Sequence, residues 1–170
     1  MPEKPSMLLP ALYGGIIMGV ISAVPGLNLV NCLCCAGVMF GGFMAVFFYK
    51  KELTPEMPPL SSADGMQLGA LAGVFGGIIG GLLSIIILQL AGNVGGEMIL
   101  QFMEGLKDTM PPDAWDQMER SIREGEVSIF NLIIGIIIDV VFGLIGGLIG
   151  YSVFRSKDRP AHPPQSPAAV

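Results

Sequence analysis

Four stretches of this chain, 8–24, 29–49, 67–91 and 129–154, contain between them one charged residue, Asp139. A helix that crosses a bilayer needs roughly 20 mainly apolar residues, because its backbone polar groups must all be satisfied within the segment. The four stretches approach or reach that length, the first being the shortest. With 52% hydrophobic and 14% charged residues and a mean hydropathy of +0.66, the composition is that of an integral membrane protein. The predicted fold class is therefore all-α and integral to a membrane, with four transmembrane helices. The first stretch, preceded by Lys4 and containing Ile21-Ser22-Ala23, also has the outline of a cleaved signal peptide.

An internal repeat favours retention of that first stretch. Tyr13-Gly-Gly-Ile-Ile-Met-Gly-Val-Ile-Ser22 and Phe75-Gly-Gly-Ile-Ile-Gly-Gly-Leu-Leu-Ser84 agree at six of ten positions at an offset of 62. At Phe75 no signal peptide can stand. A second correspondence, at an offset of 105, lays Phe40-Gly-Gly-Phe-Met-Ala-Val-Phe-Phe-Tyr-Lys50 over Ile145-Gly-Gly-Leu-Ile-Gly-Tyr-Ser-Val-Phe-Arg155. The chain thus reads as two tandem Gly-rich hairpins. The first turns tightly at Pro25-Gly26-Leu27-Asn28, and the second carries 43 extra residues in the corresponding loop.

The domain organisation follows: a first transmembrane hairpin over 1–49, a Pro-rich linker over 50–62, a second hairpin over 63–154 interrupted by an insertion at 92–128, and a disordered tail over 155–170. The insertion holds eight acids against Lys107, Arg120 and Arg123, a balance of −5 that equals the formal charge of the whole chain. Lys4, Lys50, Lys51, Arg155, Lys157 and Arg159 flank the apolar stretches instead. By the positive-inside rule both termini and the linker are cytoplasmic and the acidic insertion extracytoplasmic. Within the insertion, Met98, Phe102, Leu106 and Met110 recur at helical spacing, and a second amphipathic helix is expected after Pro111-Pro112. Trp115, Met118 and Ile122 form its apolar stripe, which packs on the bundle or contacts headgroups or a partner.

Every apolar stretch carries a Gly-x-x-x-Gly: Gly15 and Gly19; Gly37 and Gly41; Gly69, Gly73, Gly77 and Gly81; Gly143 and Gly147. Helices in lipid gain no hydrophobic energy from meeting one another, so they associate through close backbone packing, which glycine permits. Asp139 shares such a face with Gly135, Gly143 and Gly147 and is expected to point into the bundle. Counted at about 1.5 Å per residue, Ser22, Cys34, Ser84 and Asp139 all fall roughly 21 to 24 Å from the cytoplasmic boundary. These four residues form a candidate polar layer. Asp139 is read there as a neutral structural hydrogen-bonding group or as a proton or cation site.

Other chemistry is sparse. Cys32, Cys34 and Cys35 have no second cluster to complete a metal site, so no metal or cofactor is assigned and they read as small packing residues. The single histidine, His162, lies in the tail. No catalytic triad, metalloprotease motif, phosphate loop or dinucleotide fingerprint is found, and no basic patch suits nucleic acid. The expectation is a non-enzymatic accessory or scaffold subunit. It packs through Gly-rich faces with other membrane subunits or with itself, in a bacterial inner membrane. The alternative is a small channel or transporter centred on Asp139.

Overall fold

The structure is a computed structural model that describes residues 3–27, 31, 35–124 and 129–155. Among these residues it is all-helical, with α1 at Leu8–Ala23, α2 at Ala36–Glu52, α3 at Ser62–Ala91, α4 at Val94–Met103, α5 at Pro112–Glu124 and α6 at Ile129–Phe154. A 3₁₀ segment, Glu104–Thr109, follows α4. The expected tight turn beyond Leu27, the cysteines at 32 and 34 and most of the tail lie outside the described residues.

Local chemistry sets the helix boundaries. Pro10 sits in the first turn of α1, where its missing N–H has no intrahelical acceptor to lose, and α1 ends before Val24-Pro25 because a residue preceding proline is pushed out of the helical region. The helix α2 begins at Ala36, later than the apolar run suggests, after Cys35 in the left-handed conformation at φ 55°. It runs on through Lys50 and Lys51, whose charges suit its carbonyl end. Ser61 and Asp64 form a reciprocal capping box that starts α3 at Ser62, ahead of the apolar run. The Asp64 carboxylate accepts the Ser61 backbone N–H at 2.8 Å and the Lys4 ammonium at 2.6 Å, tying the N-terminal segment to the start of α3. Asp64 is 6% exposed. Burial opposes its ionisation, but the hydrogen bonds from Lys4 and Ser61 outweigh it and hold the carboxyl below its ordinary value.

Helices α1, α2, α6 and α3 pack as a ring, with α2 and α3 also meeting across it. Glycine positions define the seams. Along α3, Gly65, Gly69 and Gly73 lie against the backbone carbonyls of Gly147, Gly143 and Asp139, and Gly77 and Gly81 lie against Ile136 and Leu132. The paired numbers fall on one helix as they rise on the other, so α3 and α6 are antiparallel. A second face of α3 meets α1: Gly76 receives the side chain of Met18, and Gly80 abuts Gly19. Here both numbers rise together and the helices are parallel. The same holds for α2 and α6, where Gly42 meets Gly143 and Gly150 meets Val46, whereas Gly14 against Gly41 and Ala45 makes α1 and α2 antiparallel.

The interior is consequently built from small side chains. Ala11, Ala45 and Ala72 are fully buried with Met18, Val46, Leu68 and Tyr49. Large apolar side chains face outward, including Ile78, Leu82, Ile86 and Leu90 on α3 and Phe130, Ile133, Ile137 and Val141 on α6. Two helices, α3 and the segment Phe130–Phe154, are long and apolar enough to cross a membrane. With 16 and 17 residues, α1 and α2 extend about 24 to 26 Å, short of the ~30 Å hydrocarbon layer.

Two outcomes test this packing. A Cβ at Gly69 would overlap the carbonyl of Gly143, whereas Gly135 faces open space. Gly69→Val is expected to destabilise the purified protein by about 3 kcal/mol or more through overpacking. Gly135→Ala should be neutral or stabilising by up to about 1 kcal/mol; thermal unfolding followed by circular dichroism compares them. Asp64→Asn should cost about 1 to 2 kcal/mol at pH 7 through the weakened cap. Because the folded carboxyl titrates below its unfolded value, its contribution is fully present above the unfolded pKa and is lost as pH falls through the folded one. The difference between Asp64→Asn and the parent should therefore shrink in acid, and stability curves at pH 7 and pH 3 measure it.

Candidate functional site

The insertion encloses a polar cleft. Asn93 organises it: its side-chain oxygen accepts the Gly96 N–H at 3.0 Å and starts α4, while its amide donates to the carbonyls of Ile122 at 2.5 Å and Arg123 at 3.3 Å near the end of α5. One side chain thus caps one helix and satisfies carbonyls at the end of another. Between α4 and α5 Leu100 and Trp115 are buried, Trp115 being 5% exposed.

A cleft of about 390 Å³ opens beside Trp115, with Glu97, Gln101, Glu104, Lys107, Glu119 and Arg123 around it. The Trp115 indole N–H donates to one oxygen of Glu119 at 3.0 Å, and the Arg123 Nε–H donates to the other at 2.8 Å. These bonds, Arg123 first and Trp115 second, hold the Glu119 carboxyl below its ordinary value. The Lys107 ammonium stands 5.6 Å from the centroid of the Trp115 ring. The floor is thus an ordered aromatic and ion-paired platform, and Glu97, Gln101 and Glu104 add acceptors at the rim. Such a cleft can hydrogen-bond and charge-match a polar group. Among the described residues no set of three or more His, Cys, Asp or Glu side chains is placed to hold a metal ion.

The expected interface residues behave differently from one another. Trp115 is turned into the insertion, while Met118 and Ile122 are half-buried. The insertion helices pack chiefly on each other through α4 with α5 and the 3₁₀ segment. The anticipated stripe of Met98, Phe102, Leu106 and Met110 does not face inward: Met98 and Phe102, both within α4, are 37% and 83% exposed, and Leu106 in the 3₁₀ segment is exposed as well. Leu100 takes the inward position instead.

Of the expected polar layer, the three described residues, Ser22, Ser84 and Asp139, are not brought together. Ser22 accepts a hydrogen bond from the Asn31 amide at 3.1 Å and lies near Gly80. Asp139 is half-buried in α6, its backbone against Gly73 and its carboxylate toward Gly77. Ser84 is exposed, and Cys34 lies outside the described residues. Ser22 and Asp139 are therefore three to seven residues apart in level along α3, about 5 to 10 Å. Counting from helix ends misplaces them because the ends are not flush: Gly15, early in α1, already faces Ala72 and Gly76, well inside α3.

Of the glycines singled out in the sequence, Gly15 and Gly19 face α3, Gly41 faces α1, and Gly37 receives Ile21 and Asn31. Gly69, Gly73, Gly77 and Gly81 face α6, and Gly143 and Gly147 face α3. Gly14, Gly42, Gly65, Gly76, Gly80, Gly146 and Gly150 join them at helix contacts; five of these, all but Gly65 and Gly150, are the other members of Gly-Gly doublets, and that pairing is the missed signal. Among the described glycines of the four bundle helices, Gly135 alone has open space around its Cα. The stripes are taken up within the chain.

Trp115 is the one tryptophan of the chain, so its emission reports this site alone. Emission should be blue-shifted, and acid should perturb it with a midpoint below the ordinary glutamate value of 4.5 because Glu119 stays ionised. Arg123→Ala should move that midpoint upward, and Asn93→Ala should red-shift the emission by loosening α4 from α5; a fluorescence titration checks both.

No family model, curated protein or solved structure matches the chain.

Proposed function

We propose that this chain is a polytopic membrane protein of four spanning helices, built as two tandem hairpins, and that it serves as a non-enzymatic accessory or scaffold subunit of a larger membrane assembly or homo-oligomer. The observation that carries the membrane placement is the inverted distribution of side-chain size. Glycine and alanine fill the interior, and Ile, Leu and Phe cover the outside, with Leu90 84% exposed. Water penalises an apolar surface of that extent, whereas a bilayer accepts it. The shorter α1 and α2 are accommodated by local thinning of the bilayer or by flanking residues that reach the interface. Parallel pairing of α1 with α3 and of α2 with α6 supports duplication: Gly19 lies beside Gly80, next to its aligned position, and Gly146 beside Met39, two residues from its own.

In this reading the membrane is a bacterial inner membrane, both termini are cytoplasmic, and the insertion stands outside as a docking cap. With the glycine faces already used inside, partner contact falls to the lipid-facing Ile and Leu rows and to the charged cleft beside Trp115. Co-purification in mild detergent, analysed by mass spectrometry, should recover further copies or other membrane subunits with the parent protein. The double variant Glu97→Lys/Glu104→Lys should lose them while its helix content is unchanged. Purification of the parent as a lone monomer would refute the proposal.

A second reading, a small channel or transporter, draws on Asp139, an acid placed among helices where its burial is costly. Flux through the purified protein in liposomes, abolished by Asp139→Asn with assembly intact, would favour it.

A further inference from the structure

Outside the insertion, the structure holds a second space of about 310 Å³, a groove between α2 and α6 bordered by Ala36, Met39, Phe40, Phe43, Gly146 and Ile149. All six are apolar. Gly146 presses against the carbonyl of Met39 and has no side chain to fill the seam, so the ring of Phe40 on one side and Ile149 on the other leave a slot. Residues 36, 40, 43, 47 and 51 fall on one face of α2 by helical spacing. Toward the end of α2 the slot passes into an aromatic group, Phe43 and Phe47 packing on Phe154 at centroid distances of 5.0 and 5.6 Å. There the Lys51 ammonium lies 4.5 Å over the Phe47 ring, which keeps its charge on the groove face. Lys50 adds a second positive charge in the same turn.

We infer that this groove seats one acyl chain of an anionic phospholipid from the cytoplasmic leaflet, with Lys51 at the headgroup phosphate; the inference rests on the membrane placement and orientation proposed above. Three observations select this occupant. From Lys51 to Phe43, where the groove begins, is eight residues, about 12 Å along the helix, so an acyl chain whose headgroup sits at Lys51 reaches the groove within the ~15 Å hydrocarbon depth of one leaflet. The groove is lined by apolar residues alone, and the same face of α2 continues through Phe47 to the Lys51 ammonium beyond its end, a charge pattern complementary to an anionic lipid. Phe40 and Phe43 project here and leave a narrow slot that a flexible chain can enter.

The test uses the full chain purified in mild detergent, offered equal concentrations of dioleoylphosphatidylglycerol and dioleoylphosphatidylcholine and read by native mass spectrometry. The expected result is one retained phosphatidylglycerol, with a preference over phosphatidylcholine of about fivefold per engaged lysine. Lys51→Ala should lower that preference about fivefold, and Lys107→Ala, in the insertion, should leave it unchanged. Ala36→Trp fills the groove from the first turn of α2 and should lower retention of both lipids; Lys51→Ala, an exposed substitution, carries the test if Ala36→Trp does not fold. Equal retention of the two lipids, or a preference indifferent to Lys51, would overturn the lipid site while leaving the membrane reading in place. A chain that alkaline carbonate extracts from membranes would overturn the membrane reading, and the lipid site with it.

Discussion

The contact on which the rest of the architecture depends is the backbone-to-backbone seam between α3 and α6. Gly65, Gly69 and Gly73 place no side chain between their helix and the carbonyls of Gly147, Gly143 and Asp139. At that separation dispersion and Cα–H···O contacts act between main chains along a continuous line. Side-chain ordering costs almost nothing, since there is little side chain to order. The same helix turns Gly76 and Gly80 toward α1, so one element of the sequence fixes two neighbours at once. Met18, pushed into the gap at Gly76 and also touching Gly41, supplies the bulk that the glycines leave out of the centre.

Much of this seam was legible because a four-residue period is local. Gly69, Gly73, Gly77 and Gly81 can be read directly as one face of a helix. Gly65 escapes that reading because the apolar run begins at Gln67, while the helix begins earlier, where Ser61 and Asp64 cap it. Capping boxes are recognisable from spacing, yet Asp64 also binds Lys4 across sixty residues, and no local pattern announces that partner. The relative height of the helices is likewise a property of packing. Ser22 and Asp139 look level when each is counted from the end of its own helix and prove staggered once glycine contacts set the heights. In the insertion, Asn93 before α4 has the form of an N-cap, but its bonds to the end of α5 come from the return of the chain.

The insertion and the bundle are held together by different physics. The four long helices meet through absent side chains, and the insertion through specific polar ones: Asn93 bridging two helix ends, and Glu119 accepting from both Trp115 and Arg123. Gly92, at φ 75°, stands between the two regimes, directly after α3 and before Asn93. A substitution in the cleft acts on hydrogen bonds and charge, and one in the seam acts on helix separation. Effects on the two parts should add, since distant sites with no shared partner do so.

Asp139 is the place where such separation fails. Its carbonyl lies against Gly73 and its carboxylate faces Gly77, so the acid belongs to the seam itself. Any side chain introduced at Gly77 would crowd Ile136 and come within 3.3 Å of that carboxylate, shifting packing and acid together. A neutral acid held there as a hydrogen-bonding group and an acid that exchanges a proton make opposite demands on the seam. The first gains from the closest approach of α3 and α6, which fixes the group against its neighbours. The second needs the seam to open enough for a proton to enter and leave. Backbone contact along Gly65, Gly69 and Gly73 resists that opening on one side of Asp139, whereas the other side thins toward Leu132, where a flexible side chain rather than a carbonyl meets Gly81. The seam is therefore loosest on the side of Asp139 that leads to the insertion.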